Sequence, residues 1–152
     1  MKNFQNNNRA IVTDFDTADN FTTHVLQMTD VKEAKYKIRK IIEHLEEDPT
    51  LGKELKVGIL EKIKFDLSMD FPFVRRLSED TVKKLIGEDL YAEGNEAKLG
   101  IILLDSQQEC LLCLDIILEA AHLLNRYDKK LFESRIVPFM KNHGLEEYIE
   151  YM

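Results

Sequence analysis

The chain has 152 residues, of which 44% are hydrophobic and 32% charged, enough for one globular domain with its own core. Its formal net charge of −7 counts against nucleic acid as a partner, because phosphate binding draws on clustered Lys and Arg. The polar first residues offer no apolar signal segment, and no run reaches the roughly 18 apolar residues of a membrane span. These features predict a protein of the cytoplasm, or of the nucleoplasm, without membrane contact.

The first 29 residues differ in composition from the remainder. Met1 to Arg9 is a polar tract, and the acidic stretch that follows has little apolar mass to offset the entropy of ordering. We predict a flexible polar and acidic arm over residues 1–29 and a single helical domain over residues 30–152. The arm is expected to contribute by folding on a partner.

Helical periodicity begins after Asp30, a predicted N-cap with Glu33 three residues later. Apolar residues then recur at spacings of three and four, which predicts an amphipathic helix to about Glu47. The turn that follows contains Thr50, which we predict to cap a second helix. The buried stripe of that helix is Leu55, Ile59, Leu60, Ile63 and Leu67.

Sequence patterns in the middle of the chain predict two further helices. Pro72 favours an extended connection, Ser78 is the predicted cap of a helix from Glu79, and residues 94–95 are its predicted stop. A short helix is expected from Glu96.

The last third is the most apolar part of the sequence. The tetrapeptide at 106–109 has the pattern of a capping box, which predicts a long helix over residues 107–125. That helix is apolar on nearly every side, so we place it at the centre of the fold. The next helix starts near Asp128 and must bend or break before Pro138. Residues 141–144, which end in Gly144, predict its C-cap, and one more helix follows at 145–151. The sequence therefore predicts an all-α single domain of six or seven helices.

The acidic run from Asp14 to Asp19 has partial likeness to two functional motifs. An aspartyl phosphate-transfer signature would need Thr or Val where Ala18 stands. A calcium loop would need Gly at its sixth position and an acid at its twelfth, where Asp19 and Val25 stand. Both motifs fail, so we interpret the run as a solvated part of the arm.

Metal, cofactor and catalytic sites find no support in the sequence. Cys110, Cys113 and His122 lie in the apolar helical region, and three or four convergent zinc ligands are not recognisable. We interpret the cysteines as core residues and predict no metal and no cofactor. No nucleotide, zinc-protease or nucleophile-elbow motif occurs, so we predict that the protein is not an enzyme.

Four aromatic residues are candidate partner-binding residues: Phe71, Phe73, Tyr148 and Tyr151. Helical proteins often use exposed aromatic side chains as anchors for a partner. The alternative is that they close the core at helix ends. We favour that alternative for the two phenylalanines and leave both interpretations open for the tyrosines.

Three segments, 33–42, 110–124 and 143–150, resemble pieces of armadillo-type helical repeats of the importin-α-like kind. The resemblance implies a helical array. Importin-α-like proteins hold basic peptides with a ladder of Trp and Asn, whereas this sequence has no Trp and places Tyr36 and Lys40 at that pair. Peptide binding is therefore not carried over, and an irregular bundle and a short armadillo- or HEAT-like array both remain open.

An acidic helical protein without recognisable chemistry favours a basic partner. We predict a non-catalytic protein-binding regulatory or adaptor module that acts through an acidic helical surface on another protein with a basic surface or segment. Homo-oligomers are compatible with the sequence. The alternative is a small antagonist or immunity-type protein that inhibits a basic enzyme or a nucleic-acid-binding partner. An enzyme with a site assembled from scattered polar residues ranks third.

Overall fold

A computed structural model describes residues 12–108 and 113–152, and helices are the regular elements of both ranges. The predicted all-α single domain is confirmed, with eight helices in the described residues where six or seven were expected. The helices are α1 Phe15–Leu26, α2 Val31–Glu47, α3 Lys53–Leu67, α4 Phe73–Ile86, α5 Glu96–Asp105, α6 Leu114–Tyr127, α7 with the consecutive segments Lys129–Leu131, Phe132–Ile136 and Val137–Asn142, and α8 Glu146–Ile149. None of these described helices is long and apolar enough to cross a bilayer.

Helix α1 belongs to the core, so the predicted arm boundary at residue 29 is wrong. The Asp14 side chain accepts a hydrogen bond from the Thr17 backbone N–H at 2.8 Å and caps the helix. Phe15, Phe21 and Val25 are buried because they recur at helical spacing on the side that packs against α3. Residues 1–11 of the predicted arm lie outside the described residues.

Helix α3 lies at the centre of the packing and contacts α1, α2, α4, α5 and α6. Every side chain from Leu55 to Ile63 is buried. The prediction that residues 107–125 form the central helix is wrong, because α6 begins only at Leu114 and buries mainly one side. Ser106 ends α5, and the buried Gln107 side chain accepts a hydrogen bond from the Cys113 N–H at 2.7 Å. Residues 109–112 lie outside the described ranges.

The predicted cap of α2 is confirmed, and the predicted cap of α3 is wrong. Asp30 accepts hydrogen bonds from two backbone N–H groups, including that of Glu33 at 3.2 Å. Thr50 instead donates its hydroxyl to Asp48 at 2.6 Å, and α3 starts after Gly52 without a side-chain cap.

Helix α4 begins directly after Pro72, whose backbone is helical, so the predicted extended connection is wrong. Ser78 does not cap this helix. It lies within α4, and its hydroxyl donates to the Leu60 carbonyl oxygen of α3 at 3.0 Å. The helix ends at Gly87, whose φ of +89° is left-handed, and not at the predicted stop of residues 94–95.

The irregularity predicted before Pro138 is a π-helical segment, Phe132–Ile136. Pro138 has no N–H to donate, and a wider turn just before it lets the helix continue through to Asn142. Asp128 caps the start of α7 as predicted, accepting a hydrogen bond at 3.2 Å. Gly144, with a φ of +71°, ends it as expected and leads into α8.

Candidate functional site

Charged residues in the second half of α3 lie among buried apolar residues of the same helix. Glu61 and Lys62 are buried, and the Lys64 side chain is largely buried. Because a buried charge is costly unless it is paired, each of these groups must find partners on the surrounding helices. They do so in two separate clusters.

Lys62 lies among three carboxylates that come from three helices. Its Nζ is 3.1 Å from Asp115 Oδ2, 3.2 Å from Asp66 Oδ2 and 3.7 Å from Asp19 Oδ1. Asp19 and Asp115 are exposed to solvent, whereas Asp66 is mostly covered. Three negative groups therefore face one ammonium group, and negative charge remains in excess.

A pocket of about 240 Å³ opens at this cluster between α1, α3 and the start of α6. We call it the carboxylate pocket, and its lining is Phe15, Asp16, Asp19, Lys62, Cys113, Leu114 and Asp115.

Close helix packing positions the carboxylate pocket. A Cβ at position 58 would collide with the side chains of Ser106 and Phe15, so Gly58 permits α1 to approach α3. About two turns further along both helices, Thr22 donates its hydroxyl to Asp66 at 2.9 Å. Together with the Asp19 contact to Lys62, this sets α1 parallel to α3.

The electrostatics of the carboxylate pocket favour a fixed ammonium group. Burial opposes the charge on Lys62, but the hydrogen bond to Asp115 and the charge of Asp66 outweigh it and raise the pKa of Lys62. Burial also raises the pKa of the Cys113 thiol. Cys113 therefore lacks the thiolate character of a nucleophile or redox centre.

Exposed apolar side chains follow the pocket residues Asp19 and Lys62 along α1 and α3. Phe65 is 64% exposed and Met69 is 91% exposed. Phe65 follows Lys62 at i+3, which places it on the same side of α3, and Met69 lies in the turn directly after the helix. Leu26, also exposed, extends this side from α1, since it lies one turn beyond Thr22. We call Leu26, Phe65 and Met69 the apolar edge.

The second cluster is enclosed on the other side of α3. Glu61 Oε1 accepts hydrogen bonds from Tyr91 Oη at 2.5 Å and from Lys64 Nζ at 2.8 Å. Lys64 also reaches Glu79 at 3.0 Å and lies over the Tyr91 ring. From α6, Glu119 is close enough to Glu61 for each carboxyl group to shift the pKa of the other. We call these five residues the buried carboxyl cluster.

Protonation differs sharply across the buried carboxyl cluster. Burial, together with the hydrogen bond and charge of Glu61, raises the pKa of Glu119 to about 9. Burial acts in the same direction on Glu61, but the bonds from Glu119 and Lys64 prevail and lower its pKa. Burial and the charge of Glu61 raise the pKa of Tyr91. At neutral pH, Glu119 is therefore a neutral acid beside an ionised Glu61.

The four predicted aromatic residues occupy two separate places. Phe71 is buried at the end of α3, and Phe73 is half-buried with the Arg39 guanidinium 5.0 Å above its ring. Tyr148 is half-buried on α8, whereas Tyr151 is 84% exposed. α8 packs on α7, so the tyrosines belong to a different part of the surface from the phenylalanines.

The residues of both clusters were missed as sites at the level of sequence. Asp16 and Asp19 were assigned to a solvated arm, yet Asp19 contacts Lys62 across two helices. The sequence offers a signal for Glu119, because an acid between apolar residues of a helix needs a partner if it is buried. Over residues 12–108 and 113–152, no group of three or more His, Cys, Asp or Glu has the arrangement of a metal site.

Comparisons of the chain with protein-family models, with curated proteins and with solved structures found no match. The resemblance to armadillo-type repeats stays a prediction, and function has to be inferred from the two clusters and their surroundings.

Proposed function

We propose that this chain is a non-catalytic protein-binding module whose carboxylate pocket and apolar edge together hold a basic, partly apolar segment of another protein. The observation that carries the proposal is an excess of accessible carboxylates around Lys62, with an exposed phenylalanine three residues and an exposed methionine seven residues further along the chain. The segment would place a Lys or Arg side chain at the pocket and an apolar side chain on the edge.

Charge favours such a segment. The residues from 12 to 30 contain four aspartates and no Lys or Arg, so the surface of α1 is acidic without internal compensation. Lys62 offsets only part of the negative charge at the carboxylate pocket. Complementary potential of this kind speeds encounter and selects the sign of the partner, while buried contacts hold it.

The apolar edge supplies the contact that charge alone does not. An exposed Phe beside an exposed Met is a typical anchor surface, because the aromatic ring gives a large contact area and the flexible thioether adapts to different shapes. Adjacent charge and apolar area are also what an amphipathic basic helix presents on one face. We therefore expect a helical basic segment on the partner.

Site-directed photo-crosslinking in the cells that produce the protein tests this directly. A benzophenone amino acid at position 65 is compared with the same group at position 36, since Phe65 and Tyr36 are 64% and 62% exposed. We expect a discrete cross-linked partner from position 65 only. Asp19→Asn with Asp115→Asn should reduce its yield by about tenfold, because the attraction to the basic segment is removed.

The same experiment contains its own competing outcome. A third crosslinker position, Tyr151, tests whether the partner contacts the C-terminal aromatic residues predicted from the sequence. Cross-linking at 151 with none at 65 would refute the proposed surface. Equal yields from positions 65 and 36, unchanged by the Asn substitutions, would refute it as well.

The alternative role, a small antagonist, would use the same surface. The identity of the partner distinguishes it from an adaptor role. An acidic pocket that accepts an ammonium group also fits a catalytic Lys or Arg of a basic enzyme. In that case the captured partner loses activity when the protein is added, and Asp115→Asn restores it. The cytoplasm or nucleoplasm remains the predicted location for either role.

A further inference from the structure

Helices α2 and α4 form a second charged surface, opposite in sign to the carboxylate pocket. Arg39 of α2 lies over the ring of Phe73 at the start of α4, and Lys84 near the end of α4 reaches Glu46 at 3.9 Å. The two helices therefore pack side by side and run in the same direction. Because their first halves lie at the same end, the charges of these halves combine on one surface.

That end of the two helices is rich in cations although the whole chain is acidic. Residues 31–40 contain five Lys and Arg side chains and one acidic residue, and residues 73–77 add two arginines and no acid. The net charge of −7 therefore arises from other parts of the chain. A positive potential persists at the first halves of α2 and α4.

The ring of Phe73 gathers two of these cations. Lys35 Nζ lies 5.7 Å and Arg39 Cζ 5.0 Å from the ring centroid, and the two residues are one turn apart on α2. A half-buried ring is held in place by the fold, and the negative charge of its π face attracts both side chains. Phe73 thus holds Lys35 and Arg39 together at the surface without neutralising either.

Carboxylate partners are missing from this group of cations. Arg76 follows Phe73 at i+3 and is exposed, as Lys35 and Arg39 are. Within residues 12–108 and 113–152 none of the three forms an ion pair, whereas the neighbouring Lys40 and Arg75 each reach a glutamate. We call Lys35, Arg39, Phe73 and Arg76 the basic surface. Like charges this close repel each other, so an added anion would stabilise the arrangement.

We propose that the basic surface binds an acidic segment of another protein, whose Asp or Glu side chains contact Arg39 and Lys35. A guanidinium that lies over a ring keeps its N–H groups free to hold a carboxylate by two parallel hydrogen bonds. The basic surface shares no residue with the carboxylate pocket, so its binding does not rest on the proposed function. Only the consequence that the chain bridges a basic and an acidic protein rests on both.

The rings of this surface favour a peptide over a nucleic-acid strand. Single strands bind by stacking bases on open aromatic faces, but Phe73 already carries Lys35 and Arg39, and Tyr36 carries Lys40 at 5.7 Å. Both helices also expose acids within about one turn of these cations, which repel a backbone charged at every nucleotide. A peptide can instead place a few carboxylates on the cations and neutral residues opposite the acids.

Fluorescence anisotropy with the full chain at low ionic strength tests the proposal. The probe is a short labelled synthetic peptide with about four glutamates among neutral residues, and its control has Gln at those positions. We expect the Glu peptide to bind at least about tenfold more tightly than the Gln peptide. Added salt should weaken the binding of the Glu peptide, since the contacts are exposed.

Two double variants of α2 locate the binding. Lys35→Gln with Arg39→Gln removes two charges from the basic surface. Lys37→Gln with Lys40→Gln removes the same charge elsewhere, since Lys37 faces α1 and Lys40 is paired with Glu43. We expect the first pair to weaken binding of the Glu peptide by about tenfold or more, and the second by less than about threefold. Arg39→Lys keeps the charge but loses the planar fork, and should weaken binding by about threefold.

Three results would overturn the proposal. They are no binding of the Glu peptide, equal losses in the two double variants, and tighter binding of a single-stranded oligonucleotide of equal charge. The last result would make this a surface for nucleic acid. Photo-crosslinking at position 65 reports on α3, so a failure there would count against the proposed function and leave the basic surface standing.

Discussion

Two charged clusters form around adjacent residues of α3, and they differ in how they stabilise a buried charge. Lys62 turns toward α1 and α6, where its carboxylate partners Asp19 and Asp115 remain exposed to water. Glu61 turns into an enclosed site, where direct hydrogen bonds from Tyr91 and Lys64 replace water. The number of charged groups is similar, so access to water decides how the excess negative charge is held.

The two clusters also differ in whether their charges stabilise the fold or stay available to a partner. In the buried carboxyl cluster every charge is used within the fold, so its residues serve stability. In the carboxylate pocket the negative charge exceeds that of Lys62, and the side chains of the apolar edge remain exposed. Substitutions on α3 should therefore affect stability on one side and binding on the other.

The largest effect is expected from Lys64→Met. Removing this cation leaves Glu61 without a positive partner in a poorly solvated site and leaves Glu79 with only the exposed Arg75 at 3.8 Å. We expect the free energy of unfolding at neutral pH to fall by about 3 kcal/mol, as measured by urea denaturation. Lys98→Met, at an exposed ion pair with Glu88, is the control and should change stability by less than about 1 kcal/mol. Equal losses in the two variants would mean that the buried carboxyl cluster does not depend on Lys64.

Gly58→Ala should disturb the carboxylate pocket and leave the buried carboxyl cluster intact. The added methyl group meets Ser106 and Phe15, so α1 must move away from α3 at a cost of about 2 kcal/mol. The buried carboxyl cluster should remain intact, because the nearest contacts of the methyl group, Ser106 and Phe15, do not belong to it. Gly52→Ala is the control, since its Cβ would meet only ordinary contacts. An unchanged melting temperature for Gly58→Ala would show that α1 is not tightly packed at this point.

Lys62→Met sharpens the comparison with Lys64→Met, because the same substitution is made two residues away. Met retains the packing of the aliphatic stem, and Asp19 and Asp115 can take up water in place of the ammonium group. We expect a loss of about 1 kcal/mol, clearly smaller than for Lys64→Met, and a further decrease of this loss at high salt. A larger loss in the free energy of unfolding than for Lys64→Met, measured under identical conditions, would contradict the view that the carboxylate pocket is the better solvated of the two clusters.

Local features of the fold could be predicted from the sequence, and long-range partners could not. Asp30 and Gly144 act on backbone within a few residues, so their patterns identify helix ends correctly. Ser78 and Ser106 have similar local patterns, yet Ser78 bonds to α3 and Ser106 ends a helix. A capping pattern does not tell whether the hydroxyl will be needed elsewhere in the core.

The candidate site depends almost entirely on contacts between distant parts of the chain. Lys62 meets Asp19 and Asp115, which are far from it in sequence and on other helices. Helix α1 itself was discounted because its composition is polar, although Phe15 and Val25 follow a helical spacing. The helical spacing of its apolar residues is enough to predict that α1 packs in the core. It does not predict that a carboxylate of α1 pairs with Lys62.

The smallest effect on stability, and the most informative for function, is expected from Phe65→Ser. The ring is largely exposed, so its removal should change the free energy of unfolding by no more than about 0.5 kcal/mol. Tyr36→Ser, at a ring of matched exposure on α2, should be equally mild.

The two variants should differ only in binding to the partner identified by cross-linking. Loss of an aromatic anchor weakens binding by about tenfold or more, so titration should give a higher Kd for Phe65→Ser and an unchanged one for Tyr36→Ser. Equal affinities would remove the apolar edge from the binding surface and leave the carboxylate pocket as an electrostatic contact alone. The buried carboxyl cluster should be unaffected in both, since neither ring touches it, and the pH dependence of unfolding verifies this.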